Sequence, residues 1–321
     1  MTEAPSPRLK YFPISWFAMI MGMAGFTIAW SRAEQVLDLG FSMAPLLLPL
    51  TVALALVLAA LLVAKLIKYP AEVLGELRHP VKLAFVPTVS IAVILLSIAF
   101  LHVSPAASFW LWTVGTSLHL VLTLYVLSSW IHHTRYEITH LNPAWFIPVV
   151  GNILVPIAGI HHASPEISWF FFSLGLFFWP ILTAIIFYRL IFHGSMAERF
   201  MPTLFIFIAP PAVGFISYFN LVGGVDAFAH ILYDVALFFT VLLLVQFRYF
   251  IRLKFFLSWW AYSFPLAAVT IATLIMARET GVAFYSWLGG GLLILLSAVI
   301  VMLLVRTAIA VARREICVEG H

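Results

Sequence analysis

The sequence has little charge and almost no cysteine. Of its 321 residues only 9% are Asp, Glu, Lys or Arg, against about a quarter in a soluble domain. With 64% hydrophobic residues and a mean hydropathy of +1.09, the apolar surface exceeds what a core of this size hides from water, which excludes a soluble globular protein. The single cysteine, Cys317, cannot form an internal bridge, so a secreted disulfide scaffold is excluded too. The net charge of +4 and pI of 9.3 do not point to nucleic acid, because excess Lys and Arg in a membrane chain sets orientation. There is no Walker loop, GxSxG elbow or dinucleotide fingerprint, so neither ATP-driven transport nor a common enzyme class is indicated, and no cofactor is expected.

What is present is a series of long apolar runs. A hydrocarbon core of roughly 30 Å needs about 20 apolar helical residues, and ten runs of that kind occur, at 12–30, 43–67, 83–103, 108–131, 143–161, 167–192, 203–222, 226–247, 255–277 and 282–311. They lack the period-2 alternation of membrane strands, so helices are expected. The longest polar connection is about fifteen residues, so 1–321 reads as one transmembrane domain with no soluble domain attached. The polar start MTEAPSPRLK feeds a run too long for a signal-peptide core, with no small-residue cleavage site, so the first span is expected to be retained.

Assigning loops alternately to the two sides puts 15 of the 17 Lys and Arg on one side and only Arg32 and Arg278 on the other. That bias supports ten spans with both termini cytoplasmic, in a plasma (bacterial inner) membrane.

The odd-numbered spans share proline in aromatic company: Pro13 in YFPISWF, Pro87 in LAFVPTVS, Pro148 in AWFIPVVG, Pro210 and Pro211 in FIAPPAVG, and Pro265 in YSFPLAAV. From Pro13 to Pro265 the intervals are 74, 61, 62 and 55 residues, the length of a helical hairpin. The chain therefore reads as five hairpins, each with one interrupted and one straighter helix. Proline removes an intrahelical hydrogen bond, and freed carbonyls are tolerated in a membrane only against protein or a water-filled cavity. The five interrupted helices are expected to face a common interior. They carry no Asp, Glu, Lys or Arg between their ends, which favours a low-field conduit over an ion pump.

These residues resemble the tellurite-resistance/dicarboxylate transporter family, which includes bacterial TehA and the slow anion channels of plant guard cells. The strongest match is WAYSFP, Trp260 to Pro265. PISWFAMIMGMAGF in the first span, HPVK before the third, NPAWFIPVVGN in the fifth and APPAVG in the seventh support it. The resemblance implies an all-α integral membrane protein in which ten transmembrane helices form five helical hairpins around a central pore, odd helices inside and even helices outside, assembled as a homotrimer with one pore per protomer. It further implies that Phe264 plugs the pore as a gate, and that Pro87, Pro148, Pro210, Gly22 and Asn152 lie on or near the pore wall. Pro13 and Pro265 join the helix-interrupting set, Pro265 departing from the glycine of the bacterial version. Read without the resemblance, Phe264 lies among Phe255, Phe256, Trp259 and Trp260 and is a packing residue.

Other candidates are fewer. Asp234, with His230 four residues earlier in the eighth span, reads as the most prominent buried acid, either a proton relay or a polar clamp between outer helices or subunits. His119 is expected to hydrogen-bond a neighbouring helix. The pairs His132–His133 and His161–His162 lack acidic or cysteine partners at ligand spacing, so no metal site is expected. Three functions follow in order. The first is a passive channel for small monovalent anions such as chloride and nitrate, with membrane lipid as the other partner. The second is a proton-coupled transporter of C4-dicarboxylates, sulfite or tellurite, dependent on Asp234. The third is a membrane enzyme or scaffold using the histidines.

Overall fold

The structure is a computed structural model that describes residues 8–318, and these are almost wholly helical with no strand among them. Ten helical stretches are long and apolar enough to cross a membrane: Ile14–Val36, Ala44–Lys68, Lys82–Phe100, Pro105–His132, Pro143–His162, Pro165–Phe192, Glu198–Val222, Ala227–Val245, Leu257–Thr280 and Ala283–Ala312. They follow the apolar runs closely. The first continues to Val36 and so carries Arg32 and Glu34 on its last turns, and the seventh begins at Glu198, five residues before its apolar run. The connection after the second span holds a helix of its own, Pro70–Arg78, with proline at its start, Glu72 in its first turn and Arg78 in its last. Each of these favours a helix terminus.

Burial divides the spans into two classes. In the most apolar stretch of each odd span 61–89% of residues are buried within the protomer, against 28–39% in the even spans. Each span also packs against its successor in the pairs first–second, third–fourth, fifth–sixth, seventh–eighth and ninth–tenth. Contacts among the odd spans run first to third, third to fifth, fifth to seventh, seventh to ninth and ninth back to first. The odd spans thus close on one another, and the even spans present apolar side chains such as Leu56, Val121, Phe177, Phe238 and Ile294 outward.

The odd spans are also built differently along their length. Each starts with 3-10 turns, at Ile14–Trp16, Lys82–Phe85, Pro143–Trp145, Glu198–Ile208 and Leu257–Tyr262, and the even spans do not. The prolines mark these joints. Pro87 immediately precedes the α-helix Thr88–Phe100, Pro210 and Pro211 open Ala209–Val222, and Pro265 is the third residue of Ser263–Thr280. In the first turn of an α-helix proline's missing N–H has no intrahelical acceptor to serve, so it restarts the helix there. Pro148 lies in the short α-segment Phe146–Val150, after which a second 3-10 turn, Gly151–Leu154, intervenes. Prolines placed deep inside a continuous helix occur instead in even spans, at Pro49 and Pro180.

Candidate functional site

Three cavities follow one another through the ring of odd spans. At the end carrying most Lys and Arg, here the basic end, a cavity of about 460 Å³ is lined by Glu72, Glu76, His79, Lys82, Arg199 and Cys317 among others. The central cavity, about 80 Å³, takes residues from all five odd spans. At the opposite or far end lies a cavity of about 810 Å³. Ser15, Phe85, Leu257 and Ser258 line both the basic-end and central cavities. Leu154, Val213 and Phe264 line both the central and far-end cavities, so Phe264 stands in the partition between them.

WAYSFP straddles the joint of the ninth span; the side chains of Trp260 and Ser263 are committed internally, whereas the buried Tyr262 hydroxyl has no partner among the described residues. Trp260 Nε1 donates to Thr307 Oγ1 of the tenth span at 3.0 Å. Ser263 Oγ donates to the Trp260 carbonyl at 2.6 Å. Trp260, Tyr262, Ser263 and Pro265 are buried, whereas Ala261 and Phe264, three residues apart, are half-buried and line the central cavity. The ring of Phe264 rests beside Gly25, where an added Cβ would come within 3.3 Å of it and 3.0 Å of Ala267 Cβ.

No ionisable side chain lines the central cavity; Ser15, Thr88 and Ser258 supply its hydroxyls. Thr88 Oγ1 donates to the Phe85 carbonyl and Ser258 Oγ to the Arg199 carbonyl, at 2.6 and 2.5 Å. The α-helical parts of the odd spans begin around this cavity: Ala18, Thr88, Leu154, Ala209 and Phe264, each at or next to the first residues of its α-segment, all line it. The positive ends of five helix dipoles are therefore gathered there.

The mouth at the basic end is fixed by a buried ion pair. Lys65, 1% exposed, donates through Nζ to Glu76 Oε1 and to the Phe12 carbonyl, both at 2.7 Å, and Glu76 Oε2 accepts from the Ile14 N–H at 3.3 Å. Second span, surface helix and the start of the first span are thereby tied together. His79 of HPVK accepts at Nδ1 from the Val81 and Lys82 N–H groups, at 3.1 and 3.3 Å, and so caps the third span. Burial, then repulsion from Lys82, His140 and Arg199, pushes the His79 pKa down. Burial pushes the Cys317 thiol up.

Residues 11–308 match the family described as SLAC1, voltage-dependent anion channel. The chain belongs to that family. A Methanocaldococcus jannaschii protein named as an uncharacterized transporter is 27% identical, with 93% of this chain and 94% of the relative covered. The S-type anion channel SLAH2 of Arabidopsis thaliana is 28% identical over 86% of this chain and 55% of its own. The tellurite resistance protein TehA homolog of Haemophilus influenzae is 24% identical over 80% of this chain and 79% of its own. The resemblance carried by WAYSFP is the family found, and its members are anion channels and transporters.

Within this SLAC1 family member the expected wall residues separate. Pro210 and Pro265 line the central cavity and Pro13 the basic-end cavity. Gly22, Asn152, Pro87 and Pro148 line none of the three. A Cβ on Gly22 would collide with Ser263 Oγ and come within 3.1 Å of the Trp260 ring, so this glycine serves the packing of first against ninth span. Asn152 is fully buried and turned toward the fourth span, its Nδ2 donating to Thr123 Oγ1 at 3.0 Å and to the Val149 carbonyl at 2.7 Å. The Pro148 carbonyl accepts from the same Thr123 hydroxyl at 2.7 Å.

Asp234 and His230 depart furthest from expectation. Both are exposed on the outside of the protomer, not buried, and neither side chain forms a hydrogen bond or ion pair with a described residue. Even spans turn one side outward, and the pair lies on that side. His119 meets the Ser90 hydroxyl of the third span through Nδ1 at 2.9 Å. His162 Nε2 pairs with Ser108 Oγ at 2.7 Å, and His161 lines the far-end cavity. No group of three metal-ligating side chains occurs among the described residues.

Sequence reasoning missed the Lys65–Glu76 pair and the His79 cap. The signal for the first was a lysine two residues before the end of an apolar run, with glutamate in the next helix. For the second it was a histidine before the proline that precedes the third span.

Proposed function

We propose that each protomer is a passive anion channel whose path runs through the three cavities, with Phe264 as its gate. The observation that carries this reading is the central cavity: all five odd spans line it, it holds no ionisable side chain, and Phe264 partly walls it off. An uncharged chamber at the positive ends of helices lowers the cost of a partly dehydrated anion without binding it tightly. Entry is then governed by dehydration, so nitrate passes more readily than chloride, and sulfate hardly at all. S-type anion channels among the relatives support the same assignment. The 15-to-2 distribution of Lys and Arg supports placing the basic end in the cytoplasm of a cell whose plasma membrane holds the protein.

Proton-coupled transport of dicarboxylates, sulfite or tellurite has weaker support, since Asp234 and His230 lie outside every cavity along the path. Their position favours a role between subunits. A carboxylate facing hydrocarbon costs about 3 kcal/mol, and assembly as a homotrimer covers such a side chain. The deciding experiment is anion flux in proteoliposomes under chloride, nitrate, sulfate or malate gradients at fixed pH. Nitrate and chloride flux that dissipates the gradient and is unchanged in Asp234→Asn is expected. Saturable malate uptake driven by a proton gradient and abolished by that substitution would overturn the channel reading.

A further inference from the structure

The far-end cavity carries positive charge where the chain has least of it. Fifteen of 17 Lys and Arg lie at the basic end, and the two that do not, Arg32 and Arg278, both line this one cavity. Orientation in the membrane does not require them, since the topological bias opposes positive charge on that side.

Their surroundings leave a surplus of positive charge. Arg32 and Arg278, near the ends of the first and ninth spans, are close enough to repel one another, and Glu279 is close enough to attract Arg32. Two carboxylates share the wall. Glu34 is committed to the N-terminus of the second span, accepting from Ser42 Oγ at 2.7 Å, Met43 N–H at 2.5 Å and Ala44 N–H at 2.9 Å. Glu279 lies 3.9 Å from Arg278. Arg32 is half-buried, and its guanidinium forms no salt bridge or hydrogen bond with a described residue. Two guanidiniums, one of them held out of bulk water, thus share the single carboxylate of Glu279, and the surplus positive charge is a site that an anion completes. Ser31 and Gln35, flanking Arg32 on its helix, add hydrogen-bonding groups to the same wall, as do His102 and His161.

We propose that the far-end cavity is an anion-binding vestibule, anchored by Arg32 with Arg278 at its rim, which takes small monovalent inorganic anions such as chloride or nitrate. Its purpose in concentrating anions before Phe264 rests on the channel reading above; the binding itself does not. A unit charge about 7 Å from an ion in water changes the local anion concentration about threefold, so losing both guanidiniums costs about tenfold. Exposed charge of this kind is screened by salt.

The test is chloride-35 line broadening on the purified full chain in detergent, alongside flux in proteoliposomes. Half-saturating chloride is expected to rise about threefold in Arg278→Gln and about tenfold in Arg32→Gln/Arg278→Gln. Arg32→Lys should stay within about twofold of wild type. Arg278 is at the exposed rim, so its variant remains informative should the Arg32 substitutions not fold. Crystals soaked in bromide should show an anomalous peak beside Arg32. Unchanged broadening in the folded variants, or bromide bound elsewhere only, would overturn the site even where the protein conducts. Broadening that depends on Arg32 in a protein that moves no anion would uphold the site and refute the channel reading.

Discussion

Replacing Phe264 with alanine removes the ring that stands between the central and far-end cavities. A fully buried phenylalanine side chain contributes about 1.5–3 kcal/mol, and a ring that is half-buried beside Gly25 and Ala267 contributes about 1 kcal/mol. That is about a fivefold bias toward the seated ring. Its removal also joins a space of about 80 Å³ to one of about 810 Å³, which lowers the dehydration barrier for the anion. The combined effect is a steady anion current at least about tenfold above wild type, measured in planar bilayers under a chloride gradient and reversing near the chloride potential. Phe264→Leu should fall between the two. The thermal stability cost should stay near 1–2 kcal/mol, below the 3–5 kcal/mol of a closed core, because the ring already faces open space. A folded variant that conducts no more than wild type would refute the gate and the reasoning from the shared wall.

Gly22→Ala should destabilise by about 1–3 kcal/mol, through overpacking against Ser263 and Trp260, read as a lower melting temperature in detergent. Lys65→Met or Glu76→Leu alone should cost about 3–5 kcal/mol, while the double variant recovers most of it, because a lone buried charge is worse than none; additive losses would contradict this. Burial and the neighbouring cations lower the His79 pKa in the fold, so it takes a proton at lower pH than the unfolded chain, which does so near pH 6.5. Stability is therefore lost as pH falls below about 6.5 and is fully present above it, and protonation at Nδ1 also releases the Val81 and Lys82 N–H groups. His79→Asn, which keeps an acceptor that does not titrate, should flatten the melting-temperature profile between pH 6.5 and 5; an unchanged slope would remove His79 from that role.

The spans were legible because bilayer thickness imposes a length and hydropathy that no packing detail overrides. The odd–even division was legible through the prolines, but their use was not: proline in the sequence signals a lost hydrogen bond, and only the backbone shows that the loss falls where a 3-10 segment hands over to an α-helix. Phe264 came from WAYSFP; as a bare residue among Phe255, Phe256, Trp259 and Trp260 it is indistinguishable from packing. The side on which Asn152 and Asp234 stand was not legible in the sequence, for one reason. Polarity inside a span says that a partner is needed, not on which side of the helix it stands, and Thr123 supplies that partner for Asn152 on the side away from the cavities. Arg32 and Arg278 were visible as exceptions to the charge bias, and their convergence on one cavity required the fold.

The 3-10 start of each odd span has a consequence for register. Residues three apart eclipse one another in such a helix, and across the joint of the ninth span the central wall keeps that step, with Ser258 and Ala261 in the 3-10 segment and Phe264 just beyond it. Once Cys317 is replaced, a cysteine scan of residues 258–264 should react most strongly at Ser258, Ala261 and Phe264, with Trp260, which is 1% exposed, well behind them. One residue inserted there turns Phe264 about 120° off the axis, whereas three together bring an aromatic ring back to face it.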